Sequence, residues 1–227
     1  MTAEKNHPSL YSVLCNLYFA LRGGILKLPR EFYGRDTIVV AKELLGKTFV
    51  HEVNGIKTSG KIVETEAYRG IKDKGAHAYG GRKTPRNEAL YGPAGYSYVY
   101  FIYGLYYCMN VVAMKEGIPE GVLIRAVEPI YGIETMSERR FKKPYGELSK
   151  YQLKNLTNGP SKLCLAMDIT KEENKMDLCG DELYFEEGEN EPFEIVESKR
   201  VGIDYAEEAK DYLWRFYIKG NKCVSVK

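Results

Sequence analysis

The chain has little of what builds metal and disulfide sites. Its five cysteines (Cys15, Cys108, Cys164, Cys179 and Cys223) are odd in number and scattered, with no pair at ligand spacing. They read as reduced thiols of a cytosolic protein. The three histidines, His7, His51 and His77, are far apart, and no Cys/His cluster exists. A structural zinc site is therefore not expected. Long apolar runs are also missing. The segment from Leu10 to Leu21 is too short to span a bilayer and is broken by Ser12 and Asn16. No small-x-small cleavage pattern follows it, so it reads as an amphipathic helix or frayed extension over residues 1–27, not as a leader. There is no internal repeat, low-complexity segment or clear linker, and 227 residues suit one well-cored domain.

Net charge is almost absent too, at +2. Its distribution is uneven. From Arg69 to Lys115 seven Lys/Arg face two acids, and from Asp181 to Glu197 there are eight acids and no base. Such polarity is what a phosphate-backbone binder shows, and a basic face without a partner explains it equally well. Tyrosine, by contrast, is abundant. Seven of the seventeen residues from Tyr91 to Tyr107 are Tyr. A core has little use for so many, because each buried hydroxyl needs a partner. Aromatic faces are what unstacked nucleobases sit on.

Along the chain, Asp36 predicts a helix N-cap, with Gly46 closing the helix. Lys47–Val53 alternates as a strand, Asn54-Gly55 predicts a tight hairpin turn, and the return strand runs from about Lys57 to Tyr68. Alternation puts Ile62, Glu64, Glu66 and Tyr68 on one face and Val63, Thr65 and Ala67 on the other. For Glu64 a salt bridge or an exposed strand face is the preferred reading. Residues 70–87 form a Gly-rich loop carrying His77, Arg82, Lys83 and Arg86. Tyr96–Ile102 and the strand from Tyr106 predict a hairpin turning at Gly104, with Tyr103 at the tip. A large aromatic there is costly to expose unless it inserts into something, as base-step wedges do. Folding back over its own hairpin is the alternative. Arg125 interrupts the apolar face of a strand over 121–128 and calls for a carboxylate or phosphate partner. A helix is predicted beyond Ile130, and another starts at Asn158-Gly159-Pro160, where Lys162 and free N–H groups suit either a phosphate or a structural cap. Beyond an acidic stretch with a strand at Leu183–Phe185, a helix is expected near Tyr205–Tyr212. A final hairpin is expected over Trp214–Val226, turning at Gly220-Asn221.

Taken together, Glu64-Thr65-Glu66-Ala67-Tyr68, His77, Thr84-Pro85-Arg86-Asn87, Tyr98 to Gly104, Cys108-Met109-Asn110, Leu123 to Pro129, Asn158 to Leu163 and Arg215-Phe216-Tyr217 closely resemble the alkyladenine (3-methyladenine) DNA glycosylase family. The ordered match covers roughly residues 28–226. The resemblance implies a mixed α/β (α+β) fold, one domain over 28–227 built on a curved antiparallel sheet with surrounding helices. It implies a monofunctional enzyme of base excision repair with no metal or other cofactor. Its partner would be double-stranded DNA with damaged purines. No membrane association is expected, and the chain is expected to act as a monomer, cytoplasmic in a bacterium or nuclear in a eukaryote.

Carried over by position, Glu66 is the base that activates water. Arg125 holds a phosphate and helps place that water. Tyr68, His77 and Tyr100 sandwich the flipped base, and Asn110 selects among purines at the pocket edge. Tyr103 is the wedge, and Arg82, Arg86 and Lys162 are the candidate DNA contacts. One departure is Gly75, where the resemblance implies Ala or Ser; glycine there is expected to loosen the His77 loop. The chemistry suits these residue types. N-glycosidic cleavage passes through an oxocarbenium-like sugar, which one carboxylate can stabilise while taking a proton from water. A non-catalytic nucleic-acid-binding module would use the same aromatic platform and remains the alternative.

Overall fold

A computed structural model describes residues 26–189 and 191–226. The helix expected near Leu10–Leu21 lies outside the described residues. In chain order the elements are α1 (Arg30–Tyr33), α2 (Thr37–Glu43), β1 (Thr48–Val53), β2 (Ile56–Tyr68), β3 (Ser97–Ile102), β4 (Tyr106–Ala113), β5 (Glu120–Tyr131), α3 (Ile133–Phe141), α4 (Lys150–Lys154), α5 (Pro160–Met167), β6 (Leu183–Glu186), β7 (Ile195–Ser198) and β8 (Arg215–Ile218). Every strand pairing between them is antiparallel.

Local chemistry sets several boundaries. Asp36 Oδ1 accepts from the Ile38 and Val39 amides and starts α2. Gly46 lies two residues past the helix C-cap Leu44 with φ +82°, a left-handed turn that glycine adopts at little cost. Asn54 and Gly55 take φ of 53° and 74°, the paired positive values that a two-residue hairpin requires. Pro160 opens α5, where its missing N–H has no intrahelical partner to lose.

The sheet runs β3-β4-β5-β2-β1-β6, and β2 is its spine. One edge of β2 pairs with β5 from Ser59 to Tyr68. The other pairs with β1 over its first half and with β8 over Glu64–Glu66. This change of partner coincides with register shifts between Ile62 and Thr65. The extra residue bends the strand, which helps curl the sheet. It also breaks the expected strict alternation, because Ile62 and Val63 both enter the core. Helices α2, α3 and α5 contribute Val40, Met136, Leu163 and Met167 to the same core. Mixed α/β, with one curved antiparallel sheet, is thus the architecture.

The C-terminal expectation is corrected. No hairpin spans Trp214–Val226. Strand β8 pairs instead with β2 and with β7, which precedes it. A turn does form at Gly220, where Asn221 N–H donates to Ile218 C=O at 3.3 Å, but the tail after it folds back towards β2 without forming a strand. The helix expected near Tyr205–Tyr212 is a short 3-10 turn, Glu207–Asp211. At the opposite edge Leu28 N–H donates to Phe185 C=O, so the chain entering the fold covers the edge of β6.

Candidate active site

At and just past its bulge, β2 carries two acidic side chains into the interior, Glu64 and Glu66, both with no exposed surface. A buried carboxylate is tolerated only when its charge is met, and each is met differently. Glu64 accepts from Arg125 Nε (2.9 Å), Arg215 Nη1 (3.0 Å), Ser225 N–H (2.6 Å) and Ser225 Oγ (2.9 Å). The salt bridge preferred for it is present, fully buried. Glu66 accepts from Tyr68 Oη at 2.9 Å and from Val201 N–H at 2.7 Å, and Arg125 Nη1 lies 3.3 Å away. Arg125 thus bridges the two carboxylates. Burial opposes its charge, but Glu66 and Glu64 outweigh that and hold its pKa above the usual arginine value.

A cavity of about 610 Å³ has Tyr68, His77, Tyr100, Asn110 and Arg125 in its lining; Glu66 is not in that lining and lies behind Tyr68, Arg125 and Val201, its three partners. That volume is in the range of small-molecule sites. The four expected pocket residues and Arg125 therefore meet at one cavity. His77 and Tyr100 touch edge to face, with ring centroids 4.6 Å apart and planes at 78°. His77 Nδ1 and the Tyr98 hydroxyl are 2.8 Å apart, and Tyr98 stacks on Tyr100 at 5.0 Å. Burial, reinforced by the nearby Arg86 charge, lowers the His77 pKa to about 4. The imidazole is therefore neutral at pH 7. Burial raises the Tyr68 and Tyr100 hydroxyls well above the usual phenol value, so both stay protonated. Asn110 is buried, and its Nδ2 has no hydrogen-bond partner among the described residues.

The loop carrying His77 is pinned rather than loose. Asn87 Oδ1 accepts from Thr84 N–H at 2.7 Å, and its Nδ2 donates to the carbonyls of His77 (2.9 Å) and Arg82 (2.8 Å). Gly75, expected to loosen this loop, donates its N–H to Asp73 Oδ1 at 2.9 Å. An added Cβ there would lie 3.1 Å from both Arg200 Nη2 and Ile203 Cδ1. Glycine makes room for Arg200.

Tyr103 sits at the tip of the β3–β4 hairpin, 87% exposed, with φ 51°, followed by Gly104 at φ 69°. Phe101, Leu105 and Tyr106 beside it are exposed as well. The ring does not fold back over its hairpin. Arg86 Nη2 donates to Phe101 C=O at 2.9 Å, and its guanidinium lies 5.8 Å from the Tyr100 ring centre. Arg82 has an exposed side chain on the same loop. Lys162 Nζ donates to Asn155 Oδ1 (2.6 Å) and Asn158 Oδ1 (2.9 Å), so its ammonium is turned onto that connection. Its neighbours Pro160 and Ser161 line the cavity.

Sequence reasoning missed the loop after β7. Val201 supplies the N–H on Glu66, and Val201, Gly202, Ile203 and Tyr205 line the cavity. Nothing in the loop's composition signals this. Tyr98 was legible as a strand residue but not as the partner of His77.

The arrangement offers an aromatic-lined cavity for a flat ligand, with the buried Glu66 carboxylate behind its lining and an exposed aromatic tip beside it. These are the parts of a hydrolase acting on a base taken out of its stack. Comparison with known proteins agrees. The family described as Methylpurine-DNA glycosylase (MPG) matches residues 31–222. A protein of Clostridium acetobutylicum named "Putative 3-methyladenine DNA glycosylase" is 84% identical over 201 residues, 88% of this chain and 98% of that protein. Proteins of the same name from Clostridium novyi and Desulfitobacterium hafniense are 61% and 59% identical, again over 88% of this chain and 99% of each protein. The chain belongs to the methylpurine-DNA glycosylase family and is a DNA glycosylase.

Proposed function

We propose that the protein excises alkylated purines from duplex DNA with a water activated by Glu66. The observation that carries the reading is the buried Glu66 carboxylate, held by Tyr68 Oη, Val201 N–H and Arg125, three residues that line the aromatic cavity. The extruded base enters the slot between Tyr68 and the His77–Tyr100 pair. An N-alkylated purine is cationic, and its attraction to such rings is worth roughly 0.5–2 kcal/mol. The C1′–N bond breaks with its electron pair going to the base, which leaves neutral. Water attacks C1′ and gives its proton to Glu66. No acid is needed for this leaving group, and a second carboxyl, which ordinary glycosidases use, is not called upon.

Asn110 Nδ2 donates to the purine edge and discriminates between purines. Arg125, held by Glu64, balances the Glu66 charge and orients the water. Tyr103 fills the gap in the duplex, and Arg82 and Arg86 contact the backbone. Lys162 reaches a phosphate only after leaving Asn155 and Asn158. The protein acts as a monomer where the DNA is, in the cytoplasm of a bacterium.

The test uses a duplex with one 7-methylguanine, incubated with protein and then treated with alkali. Strand breaks at that site are expected. Tight, salt-sensitive binding without breaks at any alkylated or deaminated purine would mean a binding module instead.

A further inference from the structure

Arg200 takes no direct part in the chemistry proposed above. Its side chain and that of Asp73 have no exposed surface. Nη1 donates to Asp73 Oδ2 at 2.6 Å and to Ala67 C=O at 3.1 Å. Nη2 donates to Asp73 Oδ1 at 2.7 Å and to Ala209 C=O at 3.2 Å. The guanidinium carbon also lies over two rings, 4.7 Å from the Tyr68 centre and 5.0 Å from that of Trp214. Asp73 in turn accepts from Arg69 N–H (3.0 Å) and Gly75 N–H (2.9 Å) at the root of the His77 loop.

A fully buried, bidentate ion pair needs its remaining polar groups met, or it destabilises the fold it sits in. Here the two Nη atoms and both Asp73 oxygens are met by backbone from three other segments, the end of β2, the His77 loop and the 3-10 turn at Ala209, while Arg200 Nε is buried with no partner among the described residues. This is more than one connection needs for its own stability. Two of the three groups that fix Glu66 hang on Arg200. Val201, whose N–H reaches Glu66, is the next residue, and Tyr68, whose hydroxyl reaches Glu66, is the ring it lies over. The third group, Arg125, is fixed from the other side by Glu64.

We infer that Arg200, paired with Asp73, is a positioning residue that sets the Glu66 carboxylate and the Tyr68 ring in one frame with the His77 loop. The base slot and the water-activating group are then aligned by one clamp. A planar fork is required. Lysine can keep the charge beside Asp73, but its three donors cannot serve both Asp73 oxygens and two carbonyls at once, nor can it present a flat face to Tyr68. A misplacement of the base by about an ångström costs roughly 100-fold in rate. The inference rests on Glu66 being the base.

The test compares Arg200→Lys, Glu66→Gln and the parent protein. Three quantities are read: the melting temperature, affinity for a duplex carrying a tetrahydrofuran abasic analogue, and single-turnover release of 7-methylguanine. The fluorescence of Trp214, the one tryptophan of the chain, reports whether the clamp region is packed. For Arg200→Lys the expected result is a folded protein with analogue affinity within about twofold and a single-turnover rate lower by roughly 10- to 100-fold. A rate per folded molecule equal to the parent's, or a fall matched by lost analogue affinity, overturns the inference. If Glu66→Gln still turns over, it is the reading of Glu66 that fails.

Should Arg200→Lys not fold, amide exchange in the unaltered protein decides. Exchange of the Val201 N–H as slow as that of the β2 amides is expected, and loop-like fast exchange overturns the clamp.

Discussion

Glu64→Gln puts the buried charge cluster to a quantitative test. Glu64, Glu66, Arg125 and Arg215 sum to zero charge, and none of their side chains is more than 7% exposed. Glutamine keeps the shape but leaves one positive charge uncompensated. It also places an NH₂ or a weakened acceptor opposite Ser225 N–H, which now donates at 2.6 Å. Removing one partner of a buried pair costs about 3–5 kcal/mol, because the other charge is left without an alternative. For a domain of this size each kcal/mol moves Tm by about 2–4 °C, which gives a fall of about 6–20 °C. Glu194→Gln is the control. Its pair with Lys219 is 66% and 59% exposed, and exposed pairs contribute about 0–1 kcal/mol. Thermal melts and urea midpoints of the two variants are compared with the parent. A Glu64→Gln melt within about 2 °C of the parent would refute the view that this cluster ties β2, β5, β8 and the C-terminal tail together.

Two further outcomes follow from the site. Tyr103→Ala should leave Tm unchanged, since the ring touches little, and should weaken capture of the extruded base, read as lesion-duplex affinity or 2-aminopurine fluorescence; unchanged capture would count against a wedge. The His77 ring protons should titrate near pH 4, below the ordinary value of 6.5, because burial and then Arg86 oppose the charge. The fold prefers the neutral ring, so the stability tied to it is complete above pH 6.5 and is lost as pH falls through about 4. More than a third of the residue remains open to solvent, so screening keeps this contribution small. An NMR midpoint near 6.5 would contradict the environment described.

Features set by a few neighbouring residues were legible in the sequence. Asp36 before an apolar turn, Asn54-Gly55 between alternating runs and Pro160 after Gly159 each act through local backbone chemistry. Tyr103 at its tip was readable for the same reason. Strand partners were not readable. Gly220-Asn221 does turn, yet β8 pairs with strands that come earlier in the chain, a choice made by distant packing. The role of Glu64 depends on Arg215 and Ser225, which lie 151 and 161 residues away. The sequence shows two glutamates spaced for one strand face and cannot show which of them two arginines surround. The Arg200–Val201 contribution is least visible, because it is made by a loop through one backbone N–H and one buried pair. Motif matching picked out residues that share one cavity, and the structure adds what holds them.

The central claim is that Glu66 is the base. Its most direct test is Glu66→Gln on a duplex with a single 7-methylguanine, with binding and single-turnover excision measured on the same preparation. Lesion binding near that of the parent, with excision reduced by orders of magnitude, is the predicted result. Excision at a rate comparable to the parent would contradict it and move the water-activating role away from Glu66.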